Sequence, residues 1–311
     1  MSATRVRLLI LATVLQLPIS ASTAGTLLYD DFTGGLLADT VWHIPTWQGP
    51  CDGTYVGRTQ FRTTQNSPLP KVSESNVRIP VETYNPTGFS FYGTDLVSNQ
   101  LFSVGQGLNI KVRAKMDVPV QAGTVAGIFL YHLSDTLAQE CESDRSHDEI
   151  DFELLGNWPD EVATNVYMNE PLGGGNPESY QYASGSVTDY HVYEIRWRPN
   201  GVKWLVDGTI VREKTSFVPT GPMAFHLNMW VPDRDWVEAY SDTIQPTPFP
   251  WENEAFTMSV DWVIVETPPS AAIQGNVRTV DDIPVCALVL ANGQYMFSCD
   301  GNGTYSLNVP L

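Results

Sequence analysis

Three carboxylates alternate with apolar residues along one short segment, at Glu149, Asp151 and Glu153. In a β-strand, alternate side chains share one face, so these three groups would line up while Ile150 and Phe152 enter a core. Like charges in a row oppose stability, and the spacing alone also suits an acidic edge strand exposed to solvent. The pattern indicates a functional site if this face lines a cleft whose chemistry requires carboxylates.

The chemistry that fits is hydrolysis of a glycosidic bond by two carboxyl groups in different protonation states. In enzymes that retain the anomeric configuration, the nucleophile and the proton donor lie about 5–5.5 Å apart. Residues i and i+4 on a strand have Cα atoms roughly 13 Å apart, and two Glu side chains that lean inward close most of that gap. The middle carboxyl can hydrogen-bond the nucleophile, and crowded like charges raise one pKa, which keeps an acid protonated near neutral pH.

The rest of the chain predicts an all-β fold that would position these groups. Its 311 residues include 22 Pro and 24 Gly spread between short apolar runs, which is typical of strands separated by turns. Helical periodicity is absent after the first residues. The clearest predicted strands are 108–115, 123–132, 190–197, 202–206 and 256–265.

Charge limits the partners. The formal net charge of −18 opposes binding to nucleic acid or to an anionic membrane surface, whereas a neutral polysaccharide is compatible with it. Acidity can also serve only to keep an exported protein soluble. The dispersed Cys and His residues lack the spacing of metal ligands, so we expect catalysis without a metal or another cofactor.

The N-terminus has the layout of a signal peptide over residues 1–24. Arg5 and Arg7 precede an apolar run, Leu8–Leu17, and small residues follow at Ser22-Thr23-Ala24. The run is too short to span a bilayer by itself, although an uncleaved anchor is the alternative. We therefore expect a secreted protein with no membrane association after cleavage.

Four cysteines in an exported chain predict two disulfides. Asn292-Gly293 is a strong two-residue hairpin turn, and folding the chain about it brings Cys286 opposite Cys299. This would be a non-hydrogen-bonded pair with Cα atoms about 4.5 Å apart, a distance at which a disulfide can close. Cys51 and Cys141 are then assigned to each other by elimination alone.

Residues 147–157, His-Asp-Glu-Ile-Asp-Phe-Glu-Leu-Leu-Gly-Asn, closely resemble the active-site signature of glycoside hydrolase family 16. The likeness is to the branch of licheninases and xyloglucan endotransglycosylases, in which the E-x-D-x-E strand is unbroken. Other members usually carry one extra residue, a bulge, before the last Glu. Shorter matches such as Tyr190–Trp197, Leu227–Trp230 and Val260–Val263 extend the resemblance over most of residues 26–267.

The resemblance implies a curved antiparallel β-jelly-roll sandwich with a long cleft on its concave face. It implies Glu149 as nucleophile, Glu153 as acid/base and Asp151 as assisting carboxylate. It also implies sugar contacts at Arg113, His147, Asn165, Tyr167, Asn228 and Trp230. For three of these the residues leave a plain alternative, because Trp230 suits a core, Arg113 a partner for a cleft carboxylate and Asn165 a turn.

Two further positions follow from the family. Asp261 falls where members often bind a structural calcium, which would need oxygen ligands from distant loops. His147 stands where many licheninases have Trp and where endotransglycosylases have His, so it leaves hydrolysis and transfer both open.

The predicted organisation is a catalytic domain over 25–267, a linker over 268–272 that starts with two prolines, and a short β module over 273–311. The module weakly resembles the opening of a prealbumin-like or carboxypeptidase-regulatory-like β-sandwich and is shorter than such modules, which suggests an incomplete module. Its role is not predicted.

Together these features predict a monomeric, secreted, endo-acting retaining hydrolase of mixed-linkage β-1,3-1,4-glucan. The alternative within the same chemistry is a xyloglucan-type endotransglycosylase. The alternative of another class is a non-catalytic glucan-binding or adhesion protein, which retention of both glutamates disfavours.

Overall fold

The computed structural model describes residues 21–22, 24–45, 55–61, 70–105, 107–133, 146–170, 175–279, 281–291 and 294–310. The chain divides into two compact units, Thr26–Glu266 and a smaller one made of Met1–Gly25 and Thr267–Leu311. Within the described residues the regular structure consists of strands and one 3₁₀ turn, Pro250–Glu252. This confirms the predicted all-β class.

In chain order, the strands are β1 (Ala21–Ser22), β2 (Thr26–Asp30), β3 (Trp42–His43), β4 (Tyr55–Val56), β5 (Thr59–Phe61), β6 (Lys71–Ser73), β7 (Asn76–Glu82), β8 (Phe91–Phe102), β9 (Leu108–Met116), β10 (Val125–Leu133), β11 (His147–Leu155), β12 (Glu161–Glu170), β13 (Glu178–Gln181), β14 (His191–Arg198), β15 (Gly201–Val206), β16 (Thr209–Lys214), β17 (Met223–Trp230), β18 (Ala255–Glu266), β19 (Ser270–Asn276), β20 (Leu288–Ala291), β21 (Gln294–Phe297) and β22 (Thr304–Pro310).

The larger unit is a sandwich of two antiparallel sheets. The first sheet has the order β13-β12-β11-β10-β17-β8-β3. The second has the order β16-β15-β14-β9-β18, and β7 and β2 pair with opposite halves of β18. Strand β8 begins beside β5 and β7 and continues along β17, so it joins the two sheets. This is the predicted jelly-roll sandwich.

The core between the sheets fixes β11 in place. Ile150 and Phe152 are 0 % exposed, so the alternation expected for this strand is confirmed. Trp204 of β15 is also buried, and its indole Nε1 donates a hydrogen bond of 2.8 Å to the backbone oxygen of Asp151. The second sheet therefore holds the backbone of the central residue between the two glutamates.

The end of the signature has a structural role. A Cβ atom at Gly156 would lie 2.1 Å from the backbone oxygen of Gln121, so only glycine allows this close approach. The next side chain, Asn157, donates from Nδ2 to the backbone oxygens of Glu238 and Tyr240 at 3.0 and 2.9 Å. These contacts tie the turn after β11 to the loop that follows β17.

The smaller unit contains a β1-β19-β22 sheet and a β20–β21 hairpin. Ala291 pairs with Gln294 in the predicted register, and the disulfide Cys286–Cys299 is confirmed, with Cα atoms 4.2 Å apart. The turn residues 292–293 and the predicted pair of Cys51 and Cys141 lie outside the described residues. Strand β19 starts at Ser270, inside the segment predicted as a linker.

Residues 1–20 and 23 of the predicted signal peptide also lie outside the described residues. In the described part of the chain, no helix has the length and apolarity needed to cross a membrane.

Candidate active site

Strand β11 lies inside the first sheet, between β10 and β12, and carries the three carboxylates on one face. Glu149 is opposite Tyr131 and Tyr167, and the register runs without a shift from Glu149 to Glu153 on both sides. The unbroken E-x-D-x-E strand is therefore present in the structure. We call the side of the sheet that bears Glu149, Asp151 and Glu153 the carboxylate face.

One irregularity precedes the glutamates. The β11–β12 register shifts between His147 and Glu149. Across from this point Asn169 adopts a positive φ of 51°, and its backbone N–H donates a 2.7 Å hydrogen bond to the carboxylate of Asp148. A bulge of this kind re-aims a side chain beside it, and here it sets the start of the carboxylate row.

Asp151 is the most enclosed member of the row, with 2 % exposure. Burial raises the pKa of Asp151 well above its usual value, and the charges of Glu153 and Glu149 raise it further, while a hydrogen bond from the backbone of Asn165 opposes this. Its Oδ1 atom is buried without a partner among the described residues. A protonated Asp151 can therefore donate a hydrogen bond to a neighbouring carboxylate.

Glu153 is partly exposed, in contrast to Asp151. Burial of its carboxyl group, followed by repulsion from Glu149, raises the pKa of Glu153 from 4.5 to about 8. At neutral pH most copies of Glu153 therefore carry a proton, which is the state required of a general acid.

Glu149 has a histidine neighbour. Nε2 of His147 lies 3.1 Å from Oε2 of Glu149, and Nε2 has no aligned hydrogen-bond partner among the described residues. The His147 ring is 1 % exposed and packs against Tyr131 and Tyr167, with ring centroids 5.4 and 4.3 Å away. A small side-chain rotation would complete a hydrogen bond to the carboxylate.

The predicted sugar contact at His147 stays a prediction, and the burial of the ring bears on it. Two tyrosine rings enclose the imidazole, so a ligand in the cleft meets the tyrosines and Glu149 first. The structure makes His147 a neighbour of the glutamate rather than part of the accessible surface.

The predicted contacts on β12 do reach the carboxylate face, because Asn165 is opposite Asp151 and Tyr167 is opposite Glu149. Nδ2 of Asn165 donates a 3.0 Å hydrogen bond to the hydroxyl oxygen of Tyr167. Burial, with the charges of Glu149 and Asp151, raises the pKa of Tyr167, which keeps this hydroxyl protonated. Asn165 lies within a strand, so the alternative of a turn residue is wrong.

The predicted contacts on β17 lie near Glu153. Asn228 is opposite Gly127, which is itself opposite Glu153. Farther along the same face, the half-buried rings of Trp230 and Trp236 lie 5.7 Å apart. They pack on a small apolar cluster made of Val125, Leu155, Ala163 and Ala239. Trp230 is therefore a wall residue of this face and not part of the core between the sheets.

Arg113 is not brought to the site. It lies on β9 in the second sheet, between the buried Val112 and Ala114, so its side chain faces away from the core. Its guanidinium pairs with Asp261 and stacks over the ring of Tyr190 at 4.3 Å. The alternative of a partner for a cleft carboxylate is wrong as well.

The same pair bears on the predicted calcium position. The carboxylate of Asp261 is neutralised by Arg113, and the described residues contain no group of three or more acidic, His or Cys side chains able to hold a metal ion. Calcium at Asp261 stays a prediction, because backbone carbonyl oxygens can supply the other ligands.

Several residues of this face were not singled out from the sequence. Phe129 is opposite Asp151 and Tyr131 is opposite Glu149. His226 of β17 stacks on Phe129 with a centroid distance of 4.8 Å, and Asp95 of β8 approaches His226 within 2.9 Å. They come from strands that are distant in sequence, and only the sheet pairing brings them together.

The comparison with protein families settles which family this chain represents. The description "Glycosyl hydrolases family 16" matches residues 58–267, which is more than half of the chain. The chain belongs to glycosyl hydrolases family 16. The matched segment of this family 16 protein contains both glutamates and the strands from β5 to β18.

Curated relatives of this family 16 protein include β-glucanases and a xyloglucan endotransglucosylase/hydrolase. "Beta-glucanase" of Bacillus subtilis (strain 168) is 38 % identical over 84 residues, which are 27 % of this chain and 34 % of the relative. "Xyloglucan endotransglucosylase/hydrolase 2" of Glycine max is 34 % identical over 164 residues, 47 % of this chain and 54 % of the relative. The alignments span less than half the length of the β-glucanases of Bacillus and Fibrobacter succinogenes.

Solved structures agree on the fold. A prokaryotic β-1,3-1,4-glucanase (lichenase) derived from a mouse hindgut metagenome has a TM-score of 0.58 and 24 % identity, covering 78 % of this chain and 99 % of that one. The laminarinase catalytic domain of Thermotoga maritima has a TM-score of 0.61 and 17 % identity, covering 79 % and 99 %. At these identities the likeness shows the jelly-roll fold alone.

Proposed function

We propose that this family 16 protein is a secreted, endo-acting β-glucan hydrolase that retains the anomeric configuration. The observation that carries the proposal is the difference between two glutamates on one strand face. Glu153 has a pKa of about 8 because of burial and repulsion, while Glu149 lies beside an imidazole nitrogen. Retaining hydrolysis requires such a pair, one group protonated and the other ionised.

In the first step Glu149 attacks the anomeric carbon as a carboxylate. Glu153 donates its proton to the glycosidic oxygen, and the aglycone part of the glucan leaves with a free hydroxyl group. The product is a glycosyl ester on Glu149. Protonated Asp151 donates a hydrogen bond to Glu149 and so holds the carboxylate for in-line attack.

In the second step Glu153, now ionised, removes a proton from water. The resulting hydroxide attacks the same anomeric carbon, the ester bond to Glu149 breaks, and Glu153 is protonated again. Two inversions give net retention. The scheme uses side chains and water alone.

For the substrate we propose mixed-linkage β-1,3-1,4-glucan. The unshifted register from Glu149 to Glu153 supports it, because the matching branch of the family has this strand, and so do the β-glucanase names of the Bacillus relatives. A neutral polymer also suits the carboxylate face, because it brings no charge next to the three carboxyl groups.

The test is release of reducing ends from a panel of barley β-glucan, laminarin, xyloglucan and agarose, with Glu149→Gln as the inactive control. We expect barley β-glucan to be cut fastest, with a rapid fall in viscosity that marks internal cleavage. Proton NMR at early times should show the β-anomer as the first product. No release from any of the four polymers above the control would contradict the proposal.

A second candidate is transfer to a xyloglucan acceptor, which His147 beside Glu149 and the relative from Glycine max favour. Added xyloglucan oligosaccharides would then appear at the ends of longer chains. If products stay the same with and without acceptor, hydrolysis is the activity.

Export and a monomeric state belong to the same proposal. The signal layout of residues 1–24 and the Cys286–Cys299 disulfide support export. N-terminal sequencing of the protein recovered from culture medium tests the first, and light scattering after gel filtration tests the second.

A further inference from the structure

The carboxylate face holds a buried histidine–aspartate pair that the scheme above does not use. Nδ1 of His226 and Oδ2 of Asp95 lie 2.9 Å apart, and the two side chains are only 10 % and 2 % exposed. A carboxylate can only accept, so the tautomer that hydrogen-bonds it is the one in which Nδ1 carries the proton and donates. Oδ1 of Asp95 is buried without a hydrogen-bond partner among the described residues. The contact of His226 with Oδ2 is therefore what compensates the burial of this carboxyl group.

The pair is aligned with the reacting groups. Phe129 is opposite Asp151 on one side and opposite His226 on the other, so all three side chains project from the same face. His226 stacks on Phe129 at 4.8 Å and meets the edge of Tyr131 at 5.8 Å. The two rings fix the plane of the imidazole.

The position of the glutamates sets the direction of the polymer. Glu149 and Glu153 lie on one strand and must flank a single glycosidic bond, so the glucan chain has to run across the strands. Strand β17 is the second neighbour of β11, about 10 Å away. His226 therefore lies beneath a sugar next to the cleaved bond rather than at the bond itself.

The open atoms of β17 suit a hydroxyl-rich ring. With Nδ1 protonated, Nε2 of a neutral His226 is an acceptor, and the His226 side chain keeps 10 % of its surface exposed. Two residues along, Asn228 buries its Oδ1 against Gly127, where a Cβ atom would lie 2.5 Å away. Nδ2 is the donor atom of Asn228, which lies on the same face of β17 as His226.

We propose that His226 is a sugar-binding residue whose Nε2 accepts a hydrogen bond from a glucosyl hydroxyl adjacent to the cleavage point, and that Asp95 is the positioning residue that fixes its tautomer. The inference rests on the proposed function. It identifies the ligand chemistry as an uncharged ring with a free hydroxyl, because Nε2 offers a lone pair and the carboxyl group of Asp95 lies beside the imidazole.

The test compares three single variants with the wild type on barley β-glucan. His226→Phe keeps the aromatic stacking on Phe129 but removes Nε2, so we expect KM to rise roughly three- to tenfold while kcat stays within about twofold. Asp95→Asn should raise KM by a smaller factor than His226→Phe. It keeps Nε2 of His226 but no longer fixes the tautomer of the imidazole. His226→Gln, which can donate to Asp95 and accept from a hydroxyl, should recover part of the loss.

Binding gives an arm that does not depend on turnover. In a Glu149→Gln background, calorimetry with a mixed-linkage glucan oligosaccharide should show the same three- to tenfold loss for His226→Phe. If the single variant does not fold, Asp95→Asn/His226→Phe removes the orphaned charge and takes its place.

The outcomes separate the two claims. Unchanged KM and unchanged oligosaccharide affinity in a folded His226→Phe protein would overturn the inference while leaving the β-glucanase proposal intact. Failure of the wild type to cleave any polymer of the panel would overturn the proposed function. In that case the binding measurement in the Glu149→Gln background alone decides the role of His226. If the Glu149→Gln protein does not bind the oligosaccharide, the inference about His226 is rejected.

Discussion

Strands β9 and β11 lie on opposite sheets of the sandwich and have the same pattern with opposite charge. Lys111, Arg113 and Lys115 alternate along β9, and each pairs with an acidic side chain, respectively Glu266, Asp261 and Asp117. Glu149, Asp151 and Glu153 alternate along β11, and the ion pairs of the described residues give them no Lys or Arg partner. The second sheet thus neutralises its row of charges, whereas the first leaves its row unneutralised.

The difference supports the proposal that the row on β11 serves chemistry. A row of paired surface charges costs little and contributes little. An unpaired row in a partly buried strand lowers stability, and here it also raises the pKa of Asp151 and Glu153. Alternating charges along a strand therefore indicate a functional site less clearly than the presence or absence of ion-pair partners does.

Glu149→Gln should give the largest effect. It removes the proposed nucleophile, so kcat on barley β-glucan should fall by on the order of 10⁴ or more. It also removes a like charge, so the melting temperature at pH 7 should stay equal or rise. Turnover close to the wild type would contradict the role of Glu149, and a large drop in melting temperature would contradict the idea that the row is unfavourable.

Glu153→Gln tests the proton donor through pH. The wild-type rate should fall as pH rises through about 8, the pKa of Glu153, because the deprotonated group cannot act as an acid. The variant should lose activity on the polymer and should lack this alkaline limb on a substrate whose leaving group needs no proton. An alkaline limb that persists unchanged there would assign it to another group.

The same variant has a stability signature. Between pH 4.5 and about 8 the folded protein keeps a proton on Glu153 that the unfolded chain has released. The free energy of unfolding therefore decreases as pH rises through this window, and the penalty is complete above it. Denaturant titrations at pH 5 and pH 9 should show a smaller decrease for Glu153→Gln than for the wild type.

His147→Phe asks whether the histidine beside Glu149 orients the nucleophile. The phenyl ring can keep the packing between Tyr131 and Tyr167 but cannot donate to Glu149. A hydrogen bond to a charged group contributes about 1.5–3 kcal/mol, so kcat should fall roughly ten- to hundredfold with little change in KM. A rise in KM alone would instead support a direct sugar contact.

Arg113→Gln should give the smallest effect. Its pair with Asp261 is about a third exposed on both sides, so the free energy of unfolding should change by no more than about 1 kcal/mol. Because Arg113 lies on the other sheet, KM and kcat should match the wild type. A clear rise in KM would restore the contact that the sequence resemblance implied.

Local patterns predicted part of this structure. The alternation at Glu149–Glu153 gave the carboxylate face, because a strand fixes its own two sides. The turn predicted at Asn292-Gly293 led to the Cys286–Cys299 bridge, because a tight turn fixes the register of its two arms. Both depend on neighbours in sequence.

Contacts between distant strands could not be predicted in this way. His147 is buried by Tyr131 and Tyr167, and His226 meets Asp95 across a register that no local pattern sets. The prediction that placed Arg113 at the site differs from the structure for another reason. Arg113 lies between the apolar Val112 and Ala114 in the sequence. The alternation of its own strand already indicated a side chain that points away from the core.

The hydrogen bond from Trp204 to the backbone of Asp151 makes the chemical centre part of the cooperative core. A site built on loops can melt before the rest of a protein, but this one is anchored to the opposite sheet. We therefore expect heat inactivation and loss of tertiary structure to follow one curve, with no range of temperature in which the protein is folded yet inert.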